Sequence, residues 1–163
     1  MRFNGIALIA GALALSACGG GGETKTADTS TAAAPTTEAP AATTPAGTMA
    51  PITGTTHEVK MVGDEKGYRF DPANITLKAG DGIKFVMVSG GPHNVAFDPA
   101  TLPEDVKGQL AANMPNATDF SSPMFLNAGE TYTISFAGIK PGTYPYNCTP
   151  HLAMGMKGEI TVQ

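Results

Sequence analysis

The chain has 163 residues, a formal net charge of −4 and two cysteines, at positions 18 and 148. Lys and Arg form no basic cluster along the sequence, so the composition argues against nucleic acid as a partner. Residues 57–163 contain a single thiol, Cys148, which rules out a disulfide within that segment.

Residues 1–17 have the features of an export signal. Arg2 lies near the start, an apolar stretch runs over residues 6–15, and small residues precede Cys18. The apolar stretch is too short to cross a bilayer as a helix. Residues 15–18 resemble a bacterial lipobox, which implies that Cys18 is lipidated and becomes the first mature residue. The alternative is an ordinary cleaved signal in which Cys18 has no role.

Residues 18–56 are predicted to form a lipid-anchored, disordered tether. Of the 38 residues from 19 to 56, 31 are Gly, Ala, Thr or Pro. Such a segment buries too little apolar surface to offset its chain entropy. As a flexible coil it would span about 35 Å root-mean-square, and its four prolines would stiffen it further.

Residues 57–163 form one domain of ordinary size, in which short β-rich runs alternate with Gly, Pro and Asp turns. This pattern predicts an all-β sandwich. The connection 98–127 is long, and residues 102–110 within it predict one short helix with Pro103 in the first turn. The predicted strands are 57–62, 68–70, 74–77, 82–88, 93–97, 131–136, 142–148 and 158–162.

The most informative residues form a metal-ligand pattern at the end of the chain. Cys148 is followed by His151 and then by two methionines, Met154 and Met156, in one loop before the last strand. His93 lies upstream, just before another predicted strand. One thiolate, two imidazoles and a thioether are the ligands of a blue-copper electron-transfer site. Spacing alone leaves Met154 and Met156 as alternatives for the thioether.

Several motifs resemble the plastocyanin family of small blue copper proteins. They lie at residues 68–72, 77–81, 92–98, 127–132, 142–151 and 156–162, so the resemblance covers roughly residues 57–163. It implies the Greek-key β-sandwich of the cupredoxin fold. It also implies one copper ion, cycling between Cu⁺ and Cu²⁺, and transfer of single electrons rather than enzymatic catalysis.

The resemblance assigns roles to individual residues. It makes Met156 the weak axial ligand, because in the family this Met directly precedes the last strand and has a Gly two residues after it. It gives the backbone amide of Asn94 a contact with the cysteine sulfur, which orients and tunes a metal site. Pro150 has no N–H to add near that sulfur, although ordinary turn chemistry explains it equally well. The implied metal ligands are His93, Cys148, His151 and Met156.

The resemblance also implies that the His151 ring edge lies near solvent, among small and apolar residues. Such residues predict a flat docking patch for a redox partner, such as a cytochrome or a membrane complex. The alternative is ordinary loop packing, and we expect the protein itself to be a monomer. The predicted docking residues are Gly91, Pro92, Pro150, Leu152 and Met154.

Three other functions are alternatives to an electron carrier. A catalytic copper enzyme needs additional histidines, and the one remaining, His57, stands in no metal spacing and is expected to face solvent. A copper-binding or delivery protein of the cell envelope would show the same ligands. Zinc occupation or a purely structural module is disfavoured, because such a site binds copper more tightly than zinc.

Overall fold

The computed structural model describes residues 48–163. This part of the chain forms eight β-strands, one α-helix and a short 3-10 segment. In chain order the elements are β1 (Thr56–Asp64), β2 (Gly67–Asp71), β3 (Asn74–Leu77), β4 (Gly82–Met87), β5 (Ala96–Phe97), α1 (Glu104–Ala112), β6 (Thr131–Ser135), β7 (Gly142–Asn147), the 3-10 segment (Thr149–Met154) and β8 (Lys157–Val162). No helix in this range is long and apolar enough to cross a membrane.

The strands form two four-stranded sheets, ordered β2-β1-β4-β6 and β3-β8-β7-β5. Both sheets are mixed, because β1 runs parallel to β4 and β3 runs parallel to β8. Side chains alternate across each strand, so one face of each sheet turns to a shared core. The predicted all-β sandwich is thereby confirmed.

The core lies between the sheets and is rich in aromatic rings. Phe70, Phe85 and Tyr146 are each about 2% exposed or less and meet at ring-centroid distances of 4.6–6.1 Å. Tilted and edge-to-face contacts of this kind stabilise a core beyond the area that they bury. The result is a rigid base beneath the loops at one end of the sandwich.

The helix in the long connection is confirmed, two residues later than the predicted range 102–110. It buries Val106 and Leu110 against the core. Asn113 follows it and is fully buried. Its side chain accepts hydrogen bonds from the Ala50 amide and the Gln109 side chain, and donates to the carbonyls of Ser135 and Ala137. Asn113 therefore joins the helix to the end of β6.

The predicted strand 93–97 is shorter in the structure and comprises only Ala96–Phe97. His93 pairs with Phe125 through an isolated bridge. The connection from β4 to β5 crosses from one sheet to the other. Residues on this crossing therefore do not extend the strand.

Cys18, the predicted signal and most of the predicted tether lie outside the described residues. The last part of the predicted tether, residues 48–55, lies against the domain. The Thr53 and Gly54 amides donate to the Gly80 carbonyl, and the Thr55 amide donates to the Asp81 carboxylate. The folded unit therefore begins before residue 57.

The sequence predicts a solvent-facing His57, but in the structure its ring contacts a carboxylate. His57 Nε2 lies 3.0 Å from Asp81 Oδ2, and the His57 side chain is 31% exposed. Hydrogen bonds from the Lys78 amide, the His57 ring and the Thr55 amide lower the pKa of Asp81 to about 2. His57 thus belongs to the cluster that holds residues 53–55 against the turn before β4.

Candidate metal centre

The predicted ligands converge at the end of the sandwich where β4 and β7 stop. Antiparallel pairing of β5 with β7 aligns Ala96 with Asn147. This register places the segment before β5, which carries His93, beside the segment after β7, which begins with Cys148. Two ligands 55 residues apart are thereby brought together by strand pairing.

Glycines allow the loop of His93 to pack closely on β1 and the loop of His151 to turn. Gly90 has φ +76° and packs directly on Gly63, where a Cβ on either residue would meet the other backbone within 3 Å. Gly155 has φ +85° and ends the 3-10 segment, so that the chain turns from His151 to Met156. The Met156 amide donates to the His151 carbonyl, and the Cys148 amide donates to the Met156 carbonyl.

Three donor atoms meet in this site. The ligand atoms of His93, Cys148 and His151 all lie within 4.8 Å of one another, and all three residues are buried. Cys148 Sγ lies 3.6 Å from His93 Nδ1 and 3.5 Å from His151 Nδ1. A soft sulfur and two imidazole nitrogens thus face one point, as the sequence predicted.

The His93 tautomer is fixed by its outer nitrogen. Nε2 lies 2.8 Å from the Ser89 carbonyl oxygen, which can only accept, so Nε2 carries the proton. Nδ1 therefore presents a lone pair toward Cys148. A backbone carbonyl on the outer nitrogen is a usual way to orient a metal-binding histidine.

Burial controls the protonation of the other two donors. Burial raises the pKa of the Cys148 thiol, and backbone N–H groups of Asn94 and His151 act in the opposite direction. Burial and the nearby His93 lower the pKa of His151. The His151 imidazole is therefore neutral near pH 7, whereas the Cys148 thiol must lose a proton when a metal binds.

The two candidate methionines differ sharply in burial. Met156 is 0% exposed, and its backbone is hydrogen-bonded to Cys148 and His151. Met154 is 61% exposed. Burial beside two ligands favours Met156 as the axial thioether and leaves Met154 on the surface, and we propose the assignment on that basis.

Asn94 connects the two ligand loops. Its side-chain oxygen accepts a hydrogen bond from the Thr149 amide at 2.7 Å, and its amide nitrogen donates to the hydroxyls of Thr149 and Ser121. Asn94 is 1% exposed, so these contacts are shielded from water. Pro150 is exposed at the start of the 3-10 segment.

The five predicted docking residues, Gly91, Pro92, Pro150, Leu152 and Met154, are all exposed. Leu152 is 49% exposed, and Val88, Met124 and Leu126 add further exposed apolar side chains. His151 itself is 6% exposed, and its outer nitrogen is not among buried unpaired atoms, so part of its ring edge reaches solvent.

Sequence reasoning missed the residue that covers His151. The ring of Tyr68 on β2 stacks on the His151 ring, with centroids 3.7 Å apart and planes inclined by 11°. Strand alternation puts Tyr68 on the same face as the core residue Phe70. The alternation in the sequence could have placed Tyr68 on the inner face of β2, but it does not show which side chain Tyr68 contacts.

The donor set fits a copper ion. Thiolate suits Cu(I), and imidazole serves both oxidation states. Without a metal, the His151 imidazole is already neutral and the His93 ring is already oriented by Ser89. His93, Cys148 and His151 would hold the ion, and the buried Met156 is joined to Cys148 and His151 by backbone hydrogen bonds. No buried side-chain nitrogen or oxygen within residues 48–163 lacks a hydrogen-bond partner.

Comparisons with known proteins agree with this geometry. The family model described as copper binding proteins, plastocyanin/azurin family, matches residues 57–163. Plastocyanin A/B from Petroselinum crispum is 42% identical over 106 residues, covering 64% of this chain and 98% of that protein. Plastocyanin from Prochlorothrix hollandica is 35% identical over 114 residues, covering 70% and 78%. The oxidized form of plastocyanin from Dryopteris crassirhizoma has a TM-score of 0.51 and 34% identity, covering 65% of this chain and 99% of that chain.

Proposed function

The chain belongs to the plastocyanin/azurin family of copper-binding proteins, and we propose that it carries single electrons between redox partners at a bacterial envelope membrane. As a blue-copper cupredoxin it binds one copper ion. The observation that carries the proposal is the convergence of His93, Cys148 and His151, with their ligand atoms within 4.8 Å of one another in a buried site.

Copper supplies the one-electron couple between Cu⁺ and Cu²⁺, two states that prefer different ligand geometries. The chain's task is to hold one geometry for both. His93 is fixed through Ser89, and Asn94 ties the loop of His93 to Thr149 beside Cys148. A site with few ways to rearrange costs little reorganisation when an electron arrives or leaves.

The relatives are electron carriers rather than enzymes, which supports the same role here. A catalytic copper protein would need a second metal site. Within residues 48–163 the only further histidine, His57, is held by Asp81 near the start of β1 and β4. The described histidines therefore favour one mononuclear site.

We assign Gly91, Pro92, Pro150, Leu152 and Met154 to the surface that meets the redox partner. Their exposure at the metal end of the domain supports this assignment. Transient redox contacts are small, and exposed apolar patches mark sites of protein–protein contact. The partner is a cytochrome or a membrane complex, and the domain acts as a monomer.

Membrane attachment is proposed through Cys18, on the basis of the lipobox-like residues 15–18. Residues 53–56 join the domain where β1 and β4 begin, whereas the metal site lies beyond the end of β4, about 20 Å away along the strand. Residues 53–56 thus join the domain at the end opposite the metal. The copper domain would lie outside the cytoplasm.

The membrane proposal is tested by fractionation. Cys18→Ala should move the protein from membranes to the soluble fraction, and mass spectrometry of the wild-type N-terminus should show a lipid-modified cysteine. A soluble wild-type protein with an unmodified Cys18 would refute the anchor and leave the metal site unaffected.

The metal function is tested by adding Cu²⁺ to the metal-free chain. An intense visible band from sulfur-to-copper charge transfer, together with a fast reversible voltammetric couple, is expected for an electron carrier. Slow electron exchange combined with ready transfer of copper to a chelator would instead identify a copper-delivery protein. Absence of the band would refute the electron carrier.

A further inference from the structure

His151 is held differently from the other imidazole ligand. The outer nitrogen of His93 donates to the Ser89 carbonyl at 2.8 Å, which fixes that ring. The hydrogen bonds found among residues 48–163 include no such partner for the outer nitrogen of His151, and the only hydrogen bond of its ring joins Nδ1 to Cys148 Sγ. Another contact must therefore set the orientation of the His151 ring.

Tyr68 provides that contact. Its ring lies nearly parallel to the His151 ring, with centroids 3.7 Å apart and an interplanar angle of 11°. His93 completes the enclosure, since its ring meets His151 edge to face at 4.9 Å. Rotation of the His151 ring away from Cys148 would therefore require both neighbouring rings to move.

The backbone around this pair is shaped to allow the stack. A Cβ on Gly63 would lie 2.7 Å from the Tyr68 ring, so glycine leaves the space in which the ring lies flat. His151 has φ −115° and ψ 15°, outside the helical geometry of the residues around it. The backbone at His151 therefore lacks regular helical geometry.

We propose that Tyr68 is a positioning residue for electron transfer, which holds the His151 ring in its ligand orientation through both oxidation states. The proposal rests on the proposed function, because it concerns how a ligand of that site is kept in place. Tyr68 does not ligate the metal and acts only through His151. Its aromatic ring, rather than its hydroxyl, carries the effect, since the stack involves the ring face.

The test compares Tyr68→Leu, which removes the aromatic face, with Tyr68→Phe, which keeps it. In the full metal-free chain, NMR should show His151 ring protons shifted by the neighbouring aromatic ring in the wild type and in Tyr68→Phe. That shift should be lost in Tyr68→Leu. This measurement reports the contact without any metal.

The second measurement titrates added imidazole against the visible band of the copper-loaded chain. Added imidazole competes with His151, so a less firmly held ring is displaced at a lower concentration. Loss of one aromatic stack should lower the required imidazole concentration about two- to tenfold in Tyr68→Leu. Tyr68→Phe should match the wild type.

A residue that only stabilises the fold would lower the melting temperature of the metal-free protein without changing imidazole sensitivity. Equal imidazole sensitivity in wild type, Tyr68→Phe and Tyr68→Leu would overturn the proposal. So would a Tyr68→Phe variant that is as sensitive to imidazole as Tyr68→Leu. A wild-type chain without a visible band would instead refute the proposed function, so the two failures are distinguishable.

Discussion

The identity of the axial ligand is tested by replacing each candidate methionine with leucine. Met156 is fully buried, and its backbone, rather than its side chain, makes the hydrogen bonds to Cys148 and His151. Met156→Leu conserves volume, so the free energy of unfolding of the metal-free protein should fall by less than about 1.5 kcal/mol. The fold and the three strong ligands should remain.

The reduction potential should change much more than the stability. The axial ligand tunes the reduction potential of such a site. Loss of one donor atom destabilises the more highly charged Cu²⁺ more than Cu⁺, so removal of the thioether should raise the potential. If that difference is about 1–2 kcal/mol, the rise is about 40–90 mV, because a tenfold change in equilibrium corresponds to about 59 mV for one electron. Cyclic voltammetry of the copper-loaded variant measures this directly.

Met154→Leu is the matched control. Its side chain is 61% exposed, so the substitution should shift the potential by less than about 15 mV, while the visible band stays unchanged. A large shift in Met154→Leu combined with none in Met156→Leu would refute the axial assignment. Equal shifts in both variants would show that burial is not the deciding feature.

Three further outcomes are expected. Cys148→Ser should abolish the visible band while circular dichroism still reports a folded sandwich; a retained band would exclude Cys148 as the ligand. Asn113→Ala should lower the free energy of unfolding by about 2–4 kcal/mol in urea melts, because four hydrogen bonds at a buried site are lost. Gln109→Ala removes only one of these bonds and should lower the free energy of unfolding by about 1 kcal/mol or less. The pKa of Asp81 is lowered to about 2 in the folded protein, so its carboxylate contributes stability that is complete above its unfolded pKa near 4 and is lost as the pH falls toward 2. In melts of the metal-free protein between pH 5 and 2, the stability of Asp81→Asn should therefore fall less steeply with pH than that of the wild type.

Periodicity identified the strands well, because each has one face turned to the core. The predicted strand 74–77 matches β3, and the predicted strand 131–136 differs from β6 by one residue. The prediction was least accurate for residues 93–97. These residues show the alternating pattern of a strand, but they include the ligand His93. The chain passes from one sheet to the other here, so regular pairing is limited to Ala96–Phe97.

The sequence indicated a metal site because three of the four predicted ligands lie on one short loop, where their spacing indicates the chemistry. It did not reveal Tyr68, because the partner of a strand side chain depends on how the two sheets face each other. It also did not reveal the contact of His57 with Asp81. That contact joins residues 24 apart, and His57 belongs to no recognisable motif.

The placement of the ligands explains why a small β-sandwich suits electron transfer. His93 lies on the connection that leaves β4 in the first sheet, and Cys148 follows β7 in the second. The Asn94 side chain joins these two segments through Thr149, with its contacts shielded from water. A change in the separation of the two donors would therefore break these buried contacts, and close packing of the shared aromatic core resists movement of the sheets beneath them. Because these contacts are present before any metal binds, the fold pre-organises the His93 and Cys148 donors for a copper ion.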